Sequence, residues 1–342
     1  MSQAAYSPPG FDKNAMRQPD SCSDAELSIV IGTRNRRSML EKCLDALVGR
    51  IKTGHRIIVV DAGSTDGTVE YLRQLGQNRG EIRLIGDGAP IGQAKSLNRV
   101  FPTIKSEFIC WLSDDNVVQP GALDTAVDIL KTNDKIGMVA LKVKDVVGRR
   151  TRLPYIGGIR KTGILNCNQG VIRSNVFGQV GYFDESFKNY GIDPDLTAKV
   201  LLAGCRVVYT KAVAIHHFPT SEAQGGAISI AEKIKNKERL NKKYNAKYAY
   251  LIDDRFCDNF EMRMKRVVWR YVKKLNKRLE KMGYRIERVT GKNMKDWKNL
   301  TKARYISIFD FLRNRNRPYY LEQRLPGKIL ASNENPYRGP TG

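Results

Sequence analysis

Two adjacent carboxylates, Asp114 and Asp115, follow the apolar run Phe108–Leu112 with only Ser113 between. Side by side at the end of a buried segment, they repel one another unless a cation or hydrogen-bond donors offset the charge. The chemistry that suits such a pair is holding a hard divalent cation, which takes oxygen ligands and bridges them to substrate phosphates. Two further carboxylates, Asp193 and Asp195, precede the helix-like run Leu196–Leu202. A carboxylate there can take a proton as a general base or cap the helix. His216 and His217 end another apolar run, where imidazole serves as a ligand or as a buried ring satisfied by hydrogen bonds.

These residues need a scaffold that brings them together. Leu27–Ile31, Arg56–Val60, Ile82–Ile85, Phe108–Leu112 and Ile136–Leu141 read as short buried strands. Between them, Ser38–Val48, Thr68–Leu75, Gln93–Phe101 and Gly121–Leu130 read as helices. Alternation of this kind predicts a parallel α/β sheet. Ligands of such sheets bind at the carboxyl ends of the strands. Those ends carry Gly32-Thr33-Arg34-Asn35, Asp61 to Gly67, and Ser113-Asp114-Asp115-Asn116. Within the second cluster, Asp66 also suits a helix start.

Composition narrows the function classes. The chain has 342 residues, 41% of them hydrophobic, enough for a sizeable core. No apolar run approaches the length of a membrane span. The polar first residues show no apolar leader core, and the six scattered cysteines form no CxxC pair, so a reducing cytoplasm is expected. There is no GxxxxGK[ST] loop, and Gly86, Gly88 and Gly92 do not make GxGxxG. A nucleotide would have to be held another way, and a divalent cation on the Asp pair is the obvious one. The net charge is +24, and its distribution is uneven. Residues 1–220 hold 29 Lys+Arg against 22 Asp+Glu, and residues 221–342 hold 30 against 13. Such a basic region implies an anionic partner, or a solvated helical face.

Five ordered motifs then give a resemblance. They are Leu27 to Arg36, Val59 to Thr68, Gly92 to Asn98 with Trp111 to Asn116, Val180 to Glu185 with Tyr190 to Leu196, and Ala212 to His217. Together they resemble the family 2 glycosyltransferases, from about Leu27 to Phe218. The resemblance implies a GT-A fold, a Rossmann-like, mostly parallel sheet with helices on both faces, and an inverting, metal-dependent transferase using Mn²⁺ or Mg²⁺. It implies nucleotide-sugar binding by Thr33, Arg34, Asn35, Asp61, Lys95 and Asp114, metal binding by Asp115 and His216, and a catalytic base at Asp193. UDP is the default nucleotide, with dTDP and GDP open. Several positions depart from the family pattern. Ser113 stands for the first Asp of the DxD motif and Ile192 for the Glu before the base. Ala62 replaces an acidic or polar residue, and Arg34 an aromatic one.

The expected organisation has four parts. Residues 1–25 form a disordered segment. Residues 26–220 form the catalytic domain, with a donor half to 117 and an acceptor half from 118. A basic helical region follows at 221–316, and an extended tail at 317–342. Gly148–Asn168 reads as a basic acceptor-side segment, and Gly225–Gly226 as part of a loop closing over the donor. Val268, Val272, Leu275, Leu279 and Met282 make one helical stripe with basic residues on the other faces. That helix either packs on the body or lies on an anionic membrane. Trp297 and Tyr305–Leu312 indicate another short helix. The acceptor expected is a glycan or lipid-linked saccharide of cell-surface polysaccharide synthesis. The competing readings are a basic nucleic-acid-binding protein, which no zinc-finger or RRM motif supports, and a silent GT-A scaffold with a recruiting tail.

Overall fold

The computed structural model describes residues 25–86, 90–147, 154–187, 191–219, 230–252, 260–281, 302–307 and 313–338. The first 24 residues, residues 149–152, Gly225–Gly226, Met282 and Trp297 lie outside the described residues, as does the Tyr305–Leu312 run beyond 307.

The first part of the chain alternates as the sequence indicates. Strand β1 (Leu27–Thr33) leads to α1 (Arg37–Asp45), β2 (His55–Asp61) to α2 (Thr68–Asn78), and β3 (Ile82–Gly86) to α3 (Gln93–Asn98). β4 (Phe108–Ser113), the short β5 (Asn116–Val118), α4 (Ala122–Lys131) and β6 (Ile136–Asp145) follow. β1 pairs in parallel with β2 and β4, and β2 with β3. The middles of these strands are apolar because both faces are covered. Leu27, Ile29 and Ile31 pack with Leu40, Cys43 and Leu44 of α1, while Val30 packs with Ala94 and Leu97 of α3. The same alternation splits Phe108, Cys110 and Leu112 of β4 from Ile109 and Trp111.

Past β4 the sheet is mixed. β7 (Gly170–Arg173) runs antiparallel to both β4 and β6. No helix is described between β6 and β7, so nothing forces the return crossover that makes strands parallel. α5 (Ser174–Gln179) and α6 (Ile192–Leu202) then lead into the long β8 (Arg206–His217). β8 lies parallel to β6 along one edge. Its other edge takes two short antiparallel partners, β9 (Tyr319–Gln323) near its start and β5 at its end.

β9 comes from the segment expected to be an extended tail. All five of its residues are buried. Gln323 fixes it in place: its side chain accepts from the Leu165 N–H and donates to the Leu165 carbonyl and the Tyr209 hydroxyl. Ile306 bridges to Gln323, an extended pairing where a helix was expected. A last short helix, Gly327–Leu330, is followed by Asn335, whose amide donates to the carbonyls of Leu202 and Leu330. The basic region does contain helices, α7 (Ile230–Lys247) and α8 (Phe260–Lys281). α7 is attached to the body by Tyr244 and Tyr248, both buried in the core beneath α6.

Candidate active site

The carboxyl ends of β1, β2 and β4 meet at one rim, and the chain ties them together there. Asp114 and Asp115 follow β4 and are buried. Thr33, at the end of β1, donates its hydroxyl to Asp114 Oδ2 at 2.8 Å. Arg36 reaches across from the start of α1, with Nη1 2.8 Å from Asp114 Oδ1 and 3.4 Å from Asp115 Oδ2. The like-charged pair is therefore offset by a guanidinium. Burial nonetheless raises the Asp114 pKa above the ordinary carboxylate range, with Arg36 opposing and Asp115 assisting. The sequence reading placed Arg36 in its motif without giving it a role.

Asp61 and Asn35 organise the rim loops. The Asp61 carboxylate accepts from the backbone N–H groups of Gly63 and Ser64 and from the Ser64 hydroxyl. Asn35 holds a left-handed backbone (φ 50°) and accepts from the Thr65 N–H, while its own N–H goes to Ser64. Asp66 takes the capping role, accepting from the N–H groups of Arg37 and Thr68 at the starts of α1 and α2. Those hydrogen bonds lower its pKa against the effect of burial. Arg34 and Lys95 are exposed, Arg34 on the loop after β1 and Lys95 on α3.

β8 delivers the two histidines in opposite senses. His217 lies level with Asp145 of β6 and Asn116 of β5. Its Nδ1 is 2.9 Å from Asp145 Oδ1 and its Nε2 is 3.6 Å from Asp115 Oδ2. Burial opposes protonation of this ring, but the two carboxylates outweigh it and raise the pKa. His216 pairs instead beside Lys144, and burial together with that lysine lowers its pKa. The structure thus brings His217, not His216, to the acid pair.

One feature of the donor set fits a divalent cation. Asp115 Oδ1 is a buried carboxylate oxygen with no hydrogen-bond partner. An acceptor in that state costs free energy unless something satisfies it. Among the described residues no group of three or more His, Cys, Asp or Glu side chains forms a complete metal cage. Mg²⁺ and Mn²⁺ sites that share substrate phosphates need only one or two protein carboxylates.

Asp193 stands on the other side of β4, in the first turn of α6. Gly191 makes this turn, at φ 93°, and a Cβ there would meet the Phe187 ring at 2.7 Å. The Asp193 carboxyl is desolvated, which pushes its pKa up to about 7, against the pull of the nearby Trp111 side chain and the Arg160 charge. Trp111 belongs to β4, three positions ahead of Asp114, and packs edge-on against Phe183 at 6.1 Å between centroids. Arg160 is held by Asn241 of α7 and lies over the Tyr244 ring. So a carboxyl poised near neutrality and an acid pair share one strand as their support.

The sequence reading missed the anchor behind Asp193. Asp195 is fully buried and accepts at 2.7 Å from both Lys247 Nζ and the Tyr248 hydroxyl of α7. Lys199 lies 3.7 Å away. Lys247 also bonds Asp184 at 2.7 Å, and that carboxyl, though burial works the other way, falls to about 2. Of the two candidates, Asp195 is therefore tied into the fold, and Asp193 is the one whose pKa is raised.

Comparison with known proteins agrees with this geometry. Residues 28–191 match the model for glycosyl transferase family 2. An uncharacterized glycosyltransferase of Haemophilus influenzae is 20% identical over 207 residues, 55% of this chain and 64% of the relative. The chain thus spans under two thirds of that protein's length. An N-acetylglucosaminyl-diphospho-decaprenol L-rhamnosyltransferase of Mycobacterium tuberculosis is 24% identical over 249 residues, 60% of this chain and 80% of the relative. Among solved structures, Staphylococcus aureus TarS 1-349 in complex with UDP-GlcNAc superposes with a TM-score of 0.51 at 18% identity, covering 63% of this chain and 65% of that one. That likeness is one of fold.

Proposed function

We propose that this chain, whose residues 28–191 match glycosyl transferase family 2 and which takes the GT-A fold, moves a sugar, with inversion, from a nucleotide-sugar donor to a hydroxyl of a glycan or lipid-linked acceptor. One observation carries the reading: β4 supports a carboxyl of pKa about 7 on one side and a cation-ready carboxylate pair at its end. A base working near neutral pH is most effective with a pKa near the ambient value. Asp193 takes the proton from the acceptor hydroxyl as that oxygen bonds the anomeric carbon. The bond from that carbon to the diphosphate oxygen breaks on the opposite side, and the nucleoside diphosphate leaves with the electron pair. No second nucleophilic carboxylate is needed.

The donor lies along the rim in this reading. Thr33, Arg34, Asn35 and Asp61 line the nucleoside side, Asp114 the ribose, and Lys95 approaches the diphosphate. Arg36 supplies positive charge where negative charge builds on the leaving group. Asp115 would hold Mn²⁺ or Mg²⁺, with His217 rather than His216 as the neighbouring imidazole. When bound, the cation neutralises the departing diphosphate as a Lewis acid. UDP is the favoured nucleotide, in line with the UDP-GlcNAc bound by the TarS structure. A lipid-linked acceptor is in line with the decaprenol diphosphate in the name of the mycobacterial relative. Such work would be done in the cytoplasm, at the membrane that bears the lipid. No described helix is long and apolar enough to cross a membrane.

A donor panel tests the proposal. Nucleoside-diphosphate release is measured with UDP-, dTDP- and GDP-sugars, with Mn²⁺, Mg²⁺ or chelator. Release from at least one donor that requires the cation and is lost in Asp193→Asn is the expected result. A wild-type protein silent on the whole panel, or turnover unaffected by Asp193→Asn, would reject the reading.

A further inference from the structure

α8 has two apolar edges, and among the described residues only one of them is packed. The inward edge is fixed by Lys265, which is 1% exposed and donates its Nζ to the carbonyls of Ala303 and Ile306. Val268, three positions on, packs against the main core. Of the stripe Val268, Val272, Leu275, Leu279 and Met282 expected from the sequence either to pack on the body or to lie on a membrane, Val268 is thus packed, and the other four side chains lie outside the described residues. Met264, Val267 and Tyr271 form a second row at spacings of three and four, so they share a face. They are 40%, 36% and 69% exposed. Three large apolar side chains in line on an exposed helix face are not the ordinary scatter of surface hydrophobics.

Charge borders this row. Arg263, Arg270, Lys274 and Arg278 are all exposed. At about 100° per residue they fall on the side of the row away from Lys265. The helix as a whole carries nine Lys or Arg and two Glu. Ile234 of α7, 54% exposed, sits among Lys235, Lys237 and Lys242, which are partly or fully exposed as well. A nucleic acid would match the charge but leave the apolar row in water. An anionic bilayer surface satisfies both, because acyl chains take the apolar side chains and headgroup phosphates take the cations.

We propose that the Met264–Val267–Tyr271 face of α8, with its flanking arginines and lysines, docks the enzyme flat on an anionic lipid surface. This deepens the functional reading, since it would bring the catalytic rim to lipid-linked acceptors, but the docking itself does not depend on catalysis. Each basic residue near such a surface contributes about 1 kcal/mol at physiological ionic strength. Four of them, with three inserted side chains, suffice for reversible binding without a spanning segment.

The test is co-sedimentation of the full chain with vesicles of phosphatidylcholine alone and of phosphatidylcholine mixed with phosphatidylglycerol. The wild type should bind the mixed vesicles and not the neutral ones. Replacing Met264, Val267 and Tyr271 together by Ser should weaken that binding at least about tenfold, the equivalent of roughly 1.4 kcal/mol. Arg270→Glu with Lys274→Glu should do the same and flatten the salt dependence of what binding remains. Both variants lie on exposed positions and should keep wild-type melting temperatures and vesicle-free nucleoside-diphosphate release. Equal binding to neutral vesicles, or full binding by the Ser variant, would overturn the proposal. So would displacement of the protein from mixed vesicles by low concentrations of RNA or DNA. Failure of the donor panel would leave the vesicle result standing, so the two readings fail separately.

Discussion

Replacing Asp193 by Asn should cost activity and increase stability. The carboxyl is raised from an ordinary 3.8 to about 7, and desolvation is the main cause. A carboxyl with a raised folded-state pKa holds its proton more tightly in the folded protein than in the unfolded chain. Its ionisation therefore burdens the folded state only as pH climbs from about 4 through 7, and the full cost is present by pH 8. Three units correspond to about 4 kcal/mol. Solvent reaches this half-buried side chain, which brings the expected cost down to about 2 kcal/mol. An amide never ionises and escapes it. At roughly 2 °C per kcal/mol for a chain of this size, Asp193→Asn should melt about 4 °C above wild type at pH 8. Near pH 4.5 the two proteins should melt together.

Activity should move the other way. Loss of a general base costs about 10²–10⁴ in kcat. In the wild type, kcat/KM for donor should fall tenfold per pH unit below about 7, and this limb should vanish with the variant. Differential scanning fluorimetry from pH 4.5 to 8.5, beside nucleoside-diphosphate release over the same range, reads both quantities. A gap between variant and wild type no larger at pH 8 than at pH 4.5 would refute the desolvated carboxyl. A variant within threefold of wild-type kcat would refute the base, whatever its melting temperature.

Three further outcomes follow from named contacts. Asp115→Asn should abolish stimulation by Mn²⁺ or Mg²⁺ and weaken cation-dependent nucleoside-diphosphate binding at least about tenfold by calorimetry, because it removes one of the oxygens of the only carboxylate in the pair with an unpartnered buried atom; unchanged binding would remove it from the cation site. His217→Ala should impair the same binding while His216→Ala leaves it within about twofold, since only His217 reaches Asp115; the opposite order would restore His216 as the ligand. Lys247→Met should destabilise the fold by about 2 kcal/mol in urea, because it strips a charged donor from a fully buried carboxylate, and Lys247→Arg should recover part of the loss.

What was legible in the sequence was whatever depends on neighbours along the chain. Apolar runs buried on both faces declare themselves, and their carboxyl ends name Thr33, Asp61 and the Asp114–Asp115 pair without any three-dimensional information. The histidine was not legible, because β6 and β8 shift register twice between Ala140 and Val143. A bulge re-aims the side chains beyond it, so alternation read from the sequence cannot say which of two adjacent residues faces the rim. Arg36 lay inside a quoted motif, yet its role needs the 78-residue span to Asp114 to be closed. Lys247 carried less signal still, as one lysine in a helix rich in them, 52 residues from Asp195. β9 hid for another reason: Tyr319–Gln323 has the residues of a buried strand, but the prolines around it read as an extended tail. The unseen residues have a common property. Each supplies a charge, an imidazole or a strand edge to a group that the sequence did identify. Residue type at the strand ends can name the chemistry, but the protonation states that make it work are set by partners from remote parts of the chain. The basic C-terminal region, read from the sequence as helices that either pack on the body or lie on a membrane, followed by an extended tail, is one of those parts: it holds the Asp195 anchor of α6 and the last strand of the sheet.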